Sequence, residues 1–204
     1  MRQAVFSWHG LSSCPGIVFT RAASKGPDMT LWVFGYGSLL WNPGFEVAER
    51  ALARLDGYHR SFCMRSIHHR GTEEAPGLVL ALDEAAGAYC TGLALRAAPG
   101  TEDATLAYLR ERELISSAYL ERRLPVQLDD GRSIEALCYV IDADHWQYCG
   151  ALPLEEQARI IRHAVGGRGP NAEYLHNTAE HLAELGINDT ELMWLCNRVR
   201  ALGG

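Results

Sequence analysis

From Thr30 onward, tight-turn signals recur between β-branched and aromatic segments, and helical periodicity gathers mainly in the last third of the chain. Strands joined by tight turns pair antiparallel, and helices that follow them must pack on the sheet already formed. This order predicts an α+β fold of many antiparallel strands with late helices, not the alternating βαβ units of a parallel sheet. The first strand is Thr30–Tyr36 (TLWVFGY), which ends in Gly35-Tyr36-Gly37-Ser38-Leu39-Leu40 before Asn42-Pro43-Gly44 forces a turn. Glu46–Leu55 fits a helix or a strand, Tyr58–Ile67 reads as a strand, and His68–Pro76 as a polar loop. Gly77–Asp83 and Ala88–Arg96 flank Glu84–Gly87 and predict a hairpin. Tyr119–Leu128 and Arg132–Ile141 flank Asp129-Asp130-Gly131 and predict another. Thr101 is placed to cap a helix running to Leu114, and three more helices are expected over Pro153–Val165, Pro170–Leu185 and Asn188–Leu202. No repeat or linker divides this stretch, so a single domain is expected over residues 29–204.

Residues 1–28 differ. They hold no acid before Asp28 and sustain neither strand nor helix periodicity. They read as a disordered leader or as residues ahead of a functional start at Met29, with a transit peptide as the competing reading.

Composition narrows the function. Hydrophobic residues make up 48% of the 204, enough for a real core, and the net charge of −6 disfavours nucleic acid and anionic membranes as partners. No apolar run approaches the ~20 residues of a membrane span. Six cysteines (Cys14, Cys63, Cys90, Cys138, Cys149, Cys196) are widely and irregularly spaced, which predicts free thiols in a reducing, cytoplasmic setting. The histidines form no HExxH or paired Cys/His spacing, so no metal is expected.

Two places carry candidate chemistry. A strand followed by Gly35-Tyr36-Gly37 invites a dinucleotide-binding reading, but Leu40 takes the third glycine position and Pro43 interrupts the helix such a site needs. What remains is a glycine-flanked turn whose backbone N–H groups can face a carboxylate or an oxyanion, or a plain tight turn with a packed tyrosine. The second place is Glu113. It lies four residues beyond Leu109 and seven beyond Leu106, on the core-facing stripe of its helix, while Glu102, Asp103 and Glu111 can face water. Burial and the negative end of the helix dipole both push such a carboxyl's pKa upward, toward a general base. An ion pair with Arg110, Arg112 or Arg122 is the structural alternative. Nucleophilic catalysis is unsupported: Cys63 cannot meet His68 or His69 along one strand, and Ser38 lies outside any GxSxG. Tyr119 heads a strand and is placed either to bond a ligand or to pack.

Several segments, in order, resemble the ChaC-type γ-glutamylcyclotransferases, the bacterial branch most. They are Leu31–Trp41 (LWVFGYGSLLW), Gly57-Tyr58, His69-Arg70-Gly71, Pro76-Gly77-Leu78-Val79, Tyr108-Leu109 with Arg112-Glu113, Tyr119, and Gly169–Leu175 (GPNAEYL). The resemblance covers essentially everything after Met29. YGSL alone belongs to the wider superfamily, whereas its combination with Arg112-Glu113 and the late NAEYL is specific to the ChaC branch. It implies a small, mostly antiparallel β-barrel flanked by helices and a cofactor-independent lyase that cleaves glutathione to 5-oxoproline and cysteinylglycine. Position by position, it implies that Val33, Phe34, Gly35, Tyr36, Gly37, Ser38 and Leu39 line the substrate and that Glu113 is the acid/base. Tyr119 and Arg70 are expected as further substrate contacts. Leu78 stands where some members carry arginine, so no contact is assigned there. Other γ-glutamyl dipeptides or γ-glutamylamines are the alternative substrates, and a non-catalytic γ-glutamyl-binding module is the alternative class. Oligomeric state is left open, a monomer being preferred.

Overall fold

The computed structural model describes residues 30–203. The expectations for residues 1–28, and for Cys14, lie outside the described residues. Five strands form a closed barrel: β1 (Trp32–Gly35), β2 (Val47–Ser66), β3 (Gly77–Ala97), β4 (Tyr119–Leu128) and β5 (Ser133–Ile141), in the spatial order β1-β3-β2-β4-β5. All neighbours in that order are antiparallel, and a parallel contact at Val33–Leu137 closes the ring between β1 and β5. Closure pairs the edges that an open sheet would expose. The interior is apolar, with Phe34, Leu55, Phe62, Leu80, Leu95 and Leu137 almost wholly buried.

Of the two readings open for Glu46–Leu55 the structure takes strand, Val47–Leu55 forming the first half of β2. The hairpin expected over Gly77–Arg96 is corrected. Gly77–Arg96 is not a hairpin but one continuous strand, β3, paired with β2 along nearly its whole length. Asp56 faces Tyr89 and Tyr58 faces Glu84, so Gly57 alone lies opposite Ala85–Ala88. The residues that looked like a chain reversal form an exposed bulge, with Gly57 and Gly87 both in the left-handed region at φ 82° and 79°.

The helix α1 (Glu102–Glu113) bridges β3 and β4. Thr101 stands at its N-cap, yet its hydroxyl donates to the Ala98 carbonyl at 2.8 Å and caps no helix N–H. After the barrel come α2 (Leu154–His163), α3 (Asn171–Glu184) and α4 (Thr190–Ala201), close to the expected spans. A two-stranded hairpin that sequence reading did not predict, β6 (Val165–Gly166) with β7 (Gly169–Pro170), joins α2 to α3.

Two side chains fasten this helical third to the barrel. Asn171, fully buried at the start of α3, accepts from the Leu78 N–H and donates to the Leu78 carbonyl, each at 2.7 Å, completing the backbone bonding of β3 as a strand would. Asp189, whose carboxylate caps α4 by accepting from the Leu192 N–H, also pairs with the buried Arg60 of β2 at 3.1 Å. Arg60 in turn donates to the Tyr36 carbonyl at 2.9 Å. The five described cysteines are free thiols. Among the described residues, no helix is long and apolar enough to cross a membrane.

Candidate active site

β1 delivers the chain to a turn at one end of the barrel. A single 3-10 turn, Ser38–Leu40, follows Gly37, and the Leu40 N–H donates to the Gly37 carbonyl. The N–H groups of Gly37, Ser38 and Leu39 precede the first bond of this turn and meet no protein acceptor among the described residues. A Cβ on Gly37 would stand 3.1 Å from the Tyr174 hydroxyl, so glycine lets α3 place that phenol close against the turn.

Glu113 ends α1 on the stripe of the buried Thr105 and Leu109, as the periodicity predicts. Its side chain is 18% exposed, shielded from bulk water yet open to a ligand. On one side lies a small chamber of about 40 Å³, lined by the turn Tyr36–Leu39 together with Tyr119, Tyr139 and Tyr174. On the other lies a larger cavity of about 250 Å³, reaching outward past Met64, His69, Arg70, Gln147 and Arg168. Ser38, Glu113, Tyr119 and Tyr174 border both.

The neighbouring arginine fixes this geometry. Arg112 places Nε 3.1 Å from a Glu113 carboxylate oxygen and donates through Nη2 to Ser38 Oγ at 2.7 Å. It also donates through Nη1 to the Asn42 carbonyl at 2.7 Å. One guanidinium thus ties the carboxylate to the turn. Of the other pairings open to Glu113, Arg110 goes instead to Glu121 in a bidentate pair. Burial nevertheless dominates and raises the Glu113 pKa above the usual carboxyl range, against the opposing charges of Arg112 and Arg168.

The phenols are also pushed upward. Burial raises Tyr36 and Tyr119 well above the usual phenol range and takes Tyr174 to about 12, so all three stay protonated at working pH. Tyr36 donates its proton to the Tyr139 carbonyl and Tyr119 donates to the Leu80 carbonyl, both at 2.9 Å. With those hydrogens committed, the two phenol oxygens are left as acceptors, suited to an incoming N–H.

The residues expected from sequence divide into those lining the cavities and those packed in the core. Tyr36, Gly37, Ser38, Leu39, Glu113 and Tyr119 line one or both cavities. Val33 and Phe34 do not: their side chains are wholly buried in the core, and Gly35 ends the strand below the turn. Arg70 borders the outer cavity but is engaged, donating to the Pro170 carbonyl at 3.0 Å and lying 3.7 Å from the Glu173 carboxylate. Arg112 pairs with Glu113 as one of the expected ion pairs, whereas its bond to Ser38 and the places of Tyr139 and Tyr174 in the chamber wall are not foreseen from the sequence. Only the chain crossing brings them together, since Arg112 and Ser38 are 74 residues apart.

The closed five-stranded barrel with its four helices is a fold shared with solved γ-glutamylcyclotransferases. A crystal structure of the yeast γ-glutamylcyclotransferase specific to glutathione superposes with a TM-score of 0.76, covering 84% of this chain and 96% of that one at 23% identity. The family model described as ChaC-like protein matches residues 31–202, and the chain belongs to this ChaC family. It is 39% identical over 180 residues to the glutathione-specific γ-glutamylcyclotransferase of Escherichia coli (strain K12), covering 88% of this chain and 77% of that protein. It is 35% identical over 178 residues to γ-glutamylcyclotransferase 2-3 of Arabidopsis thaliana, covering 84% and 89% respectively.

Proposed function

We propose that this chain degrades glutathione by intramolecular cyclisation, releasing 5-oxoproline and cysteinylglycine, with residues 29–204 as the catalytic domain. The observation that carries the reading is Glu113, a desolvated carboxylate between a small polar chamber and a larger outer cavity. In this reading the γ-glutamyl unit lies at Glu113 against the mouth of the chamber, and cysteinylglycine extends into the outer cavity.

In this reading the α-amine nitrogen attacks the γ-carbonyl carbon of the same residue and closes a five-membered lactam. The carbonyl electron pair moves onto oxygen, then returns as the bond to the cysteine nitrogen breaks. Glu113 takes a proton from the attacking amine and gives one to the departing nitrogen, so no water is consumed. Such proton transfer contributes about 10²–10⁴-fold. The reacting atoms already share one molecule, so the site must only hold the folded rotamer, which supplies part of the ~7–11 kcal/mol that orientation can give. The N–H groups of Gly37–Leu39 hold anionic oxygens of the γ-glutamyl unit. The phenol oxygens of Tyr36 and Tyr119 accept from its amine. The free thiols fit a reducing cytoplasmic compartment.

Incubating the full chain with glutathione is expected to release 5-oxoproline and cysteinylglycine in equal amounts, measured by mass spectrometry. γ-Glutamyl-alanine is expected to react more slowly. Folded protein that binds glutathione in calorimetry but releases nothing would make this a binding module. Faster turnover of γ-glutamyl-alanine would move the specificity elsewhere.

A further inference from the structure

We infer that Arg168 binds the carboxylate at the far end of the tripeptide substrate, selecting leaving groups that end in an anion. This rests on the glutathione reading above. A net charge of −6 gives the chain no general attraction for an anionic substrate, so capture falls to local cations. The outer cavity is bordered by three arginines, Arg70, Arg112 and Arg168. Arg112 is spent on Glu113, Ser38 and the Asn42 carbonyl, and Arg70 on Pro170 and Glu173. Arg168 is exposed and meets no acceptor for its side chain among the described residues. His69 borders the same cavity, but burial and the arginines around it lower its pKa, which disfavours its cationic form.

The backbone that carries Arg168 is not a loose loop. Arg168 lies in the turn of the β6–β7 hairpin, and its N–H donates to the His69 carbonyl at 2.9 Å, as the Gly167 N–H does to the His68 carbonyl. The hairpin presses so closely on this segment that a Cβ on Gly166 would overlap the backbone of His69, Arg70 and Gly71. Hairpin and loop therefore form one cavity wall, with Arg168 held on it. With its γ-carbonyl at Glu113, the two residues of the leaving group extend about 7 Å outward. That places their terminal carboxylate in the outer cavity. A guanidinium there gains a charge-assisted, bidentate contact that an uncharged end cannot supply.

The test compares glutathione with its glycyl ethyl ester, in wild type and in Arg168→Gln and Arg168→Lys, with folding checked by thermal melts. Wild type is expected to favour glutathione about ten- to a hundredfold in kcat/KM, the range of a hydrogen bond to a charged group. Arg168→Gln is expected to erase that preference, bringing the ratio of kcat/KM for glutathione to that for the ester close to one, and Arg168→Lys to restore part of it. A preference that survives in Arg168→Gln, or is missing from wild type, overturns the assignment. Wild-type turnover of neither compound would overturn the cyclotransferase reading itself, and this inference with it.

Discussion

Glu113→Gln is expected to slow 5-oxoproline release by about 10²–10⁴-fold and, at neutral pH, to raise the melting temperature. The glutamine keeps the size of the side chain and an oxygen for Arg112 Nε, so the turn stays clamped, but it cannot take up the amine proton. Stability moves the other way because burial raises the Glu113 pKa above its unfolded value. At a pH below the unfolded carboxyl range the group is protonated in both states and costs nothing. As pH rises through the folded pKa, the folded protein must carry a desolvated charge that the unfolded chain carries in water, and stability is lost. The variant's advantage should therefore be absent in acid and open as pH rises. Wild-type activity should fall in the direction in which the carboxylate is protonated. Thermal melts across pH and single-turnover kinetics check both. Wild-type turnover in the variant would assign the proton transfer to another group, and a variant less stable at every pH would mean that the Arg112 pairing outweighs burial.

The second large effect is structural. Asn171→Leu is expected to cost about 2–5 kcal/mol, because two buried backbone groups of Leu78 lose their partner while remaining out of water. Against the ~5–15 kcal/mol of a typical domain this is a large fraction. The loss should reach the site as well. Asn171 starts α3 one turn before Tyr174, whose hydroxyl abuts Gly37. Urea denaturation measures the first effect and KM for glutathione the second; a change below 1 kcal/mol would show that the side chain is not the link it resembles.

What the sequence made legible was local. The β4–β5 hairpin is announced by Asp129-Asp130-Gly131, and the turn forms there with Gly131 in the left-handed region and the Asp130 carboxylate accepting from the Arg132 N–H. Glu113 is legible because helix periodicity alone places it inward. The bulge in β3 is not, since Gly87 at positive φ serves a hairpin turn or a bulge equally well, and the long pairing with β2 decides between them. The site is legible in outline only. The YGSL segment marks the turn, but that Val33 and Phe34 turn into the core while Ser38 meets Arg112 depends on the closed barrel. The hairpin bearing Arg168 is shorter than any periodicity can reveal.

The link from Asp189 through Arg60 to the Tyr36 carbonyl bears on how the enzyme is made. The turn and Glu113 precede Asn171, Tyr174 and Asp189 in the chain and leave the ribosome before them. Until then the Tyr36 carbonyl has Arg60 without its carboxylate, and the chamber lacks a wall. Domains fold as units during synthesis, so a nascent chain is expected to be inert toward the thiol pool around it. A chain truncated before residue 171 that released 5-oxoproline would contradict this. Consumption of the cell's reductant would then begin only once residues 171–189 have emerged, and cleavage ahead of residue 171 would end it.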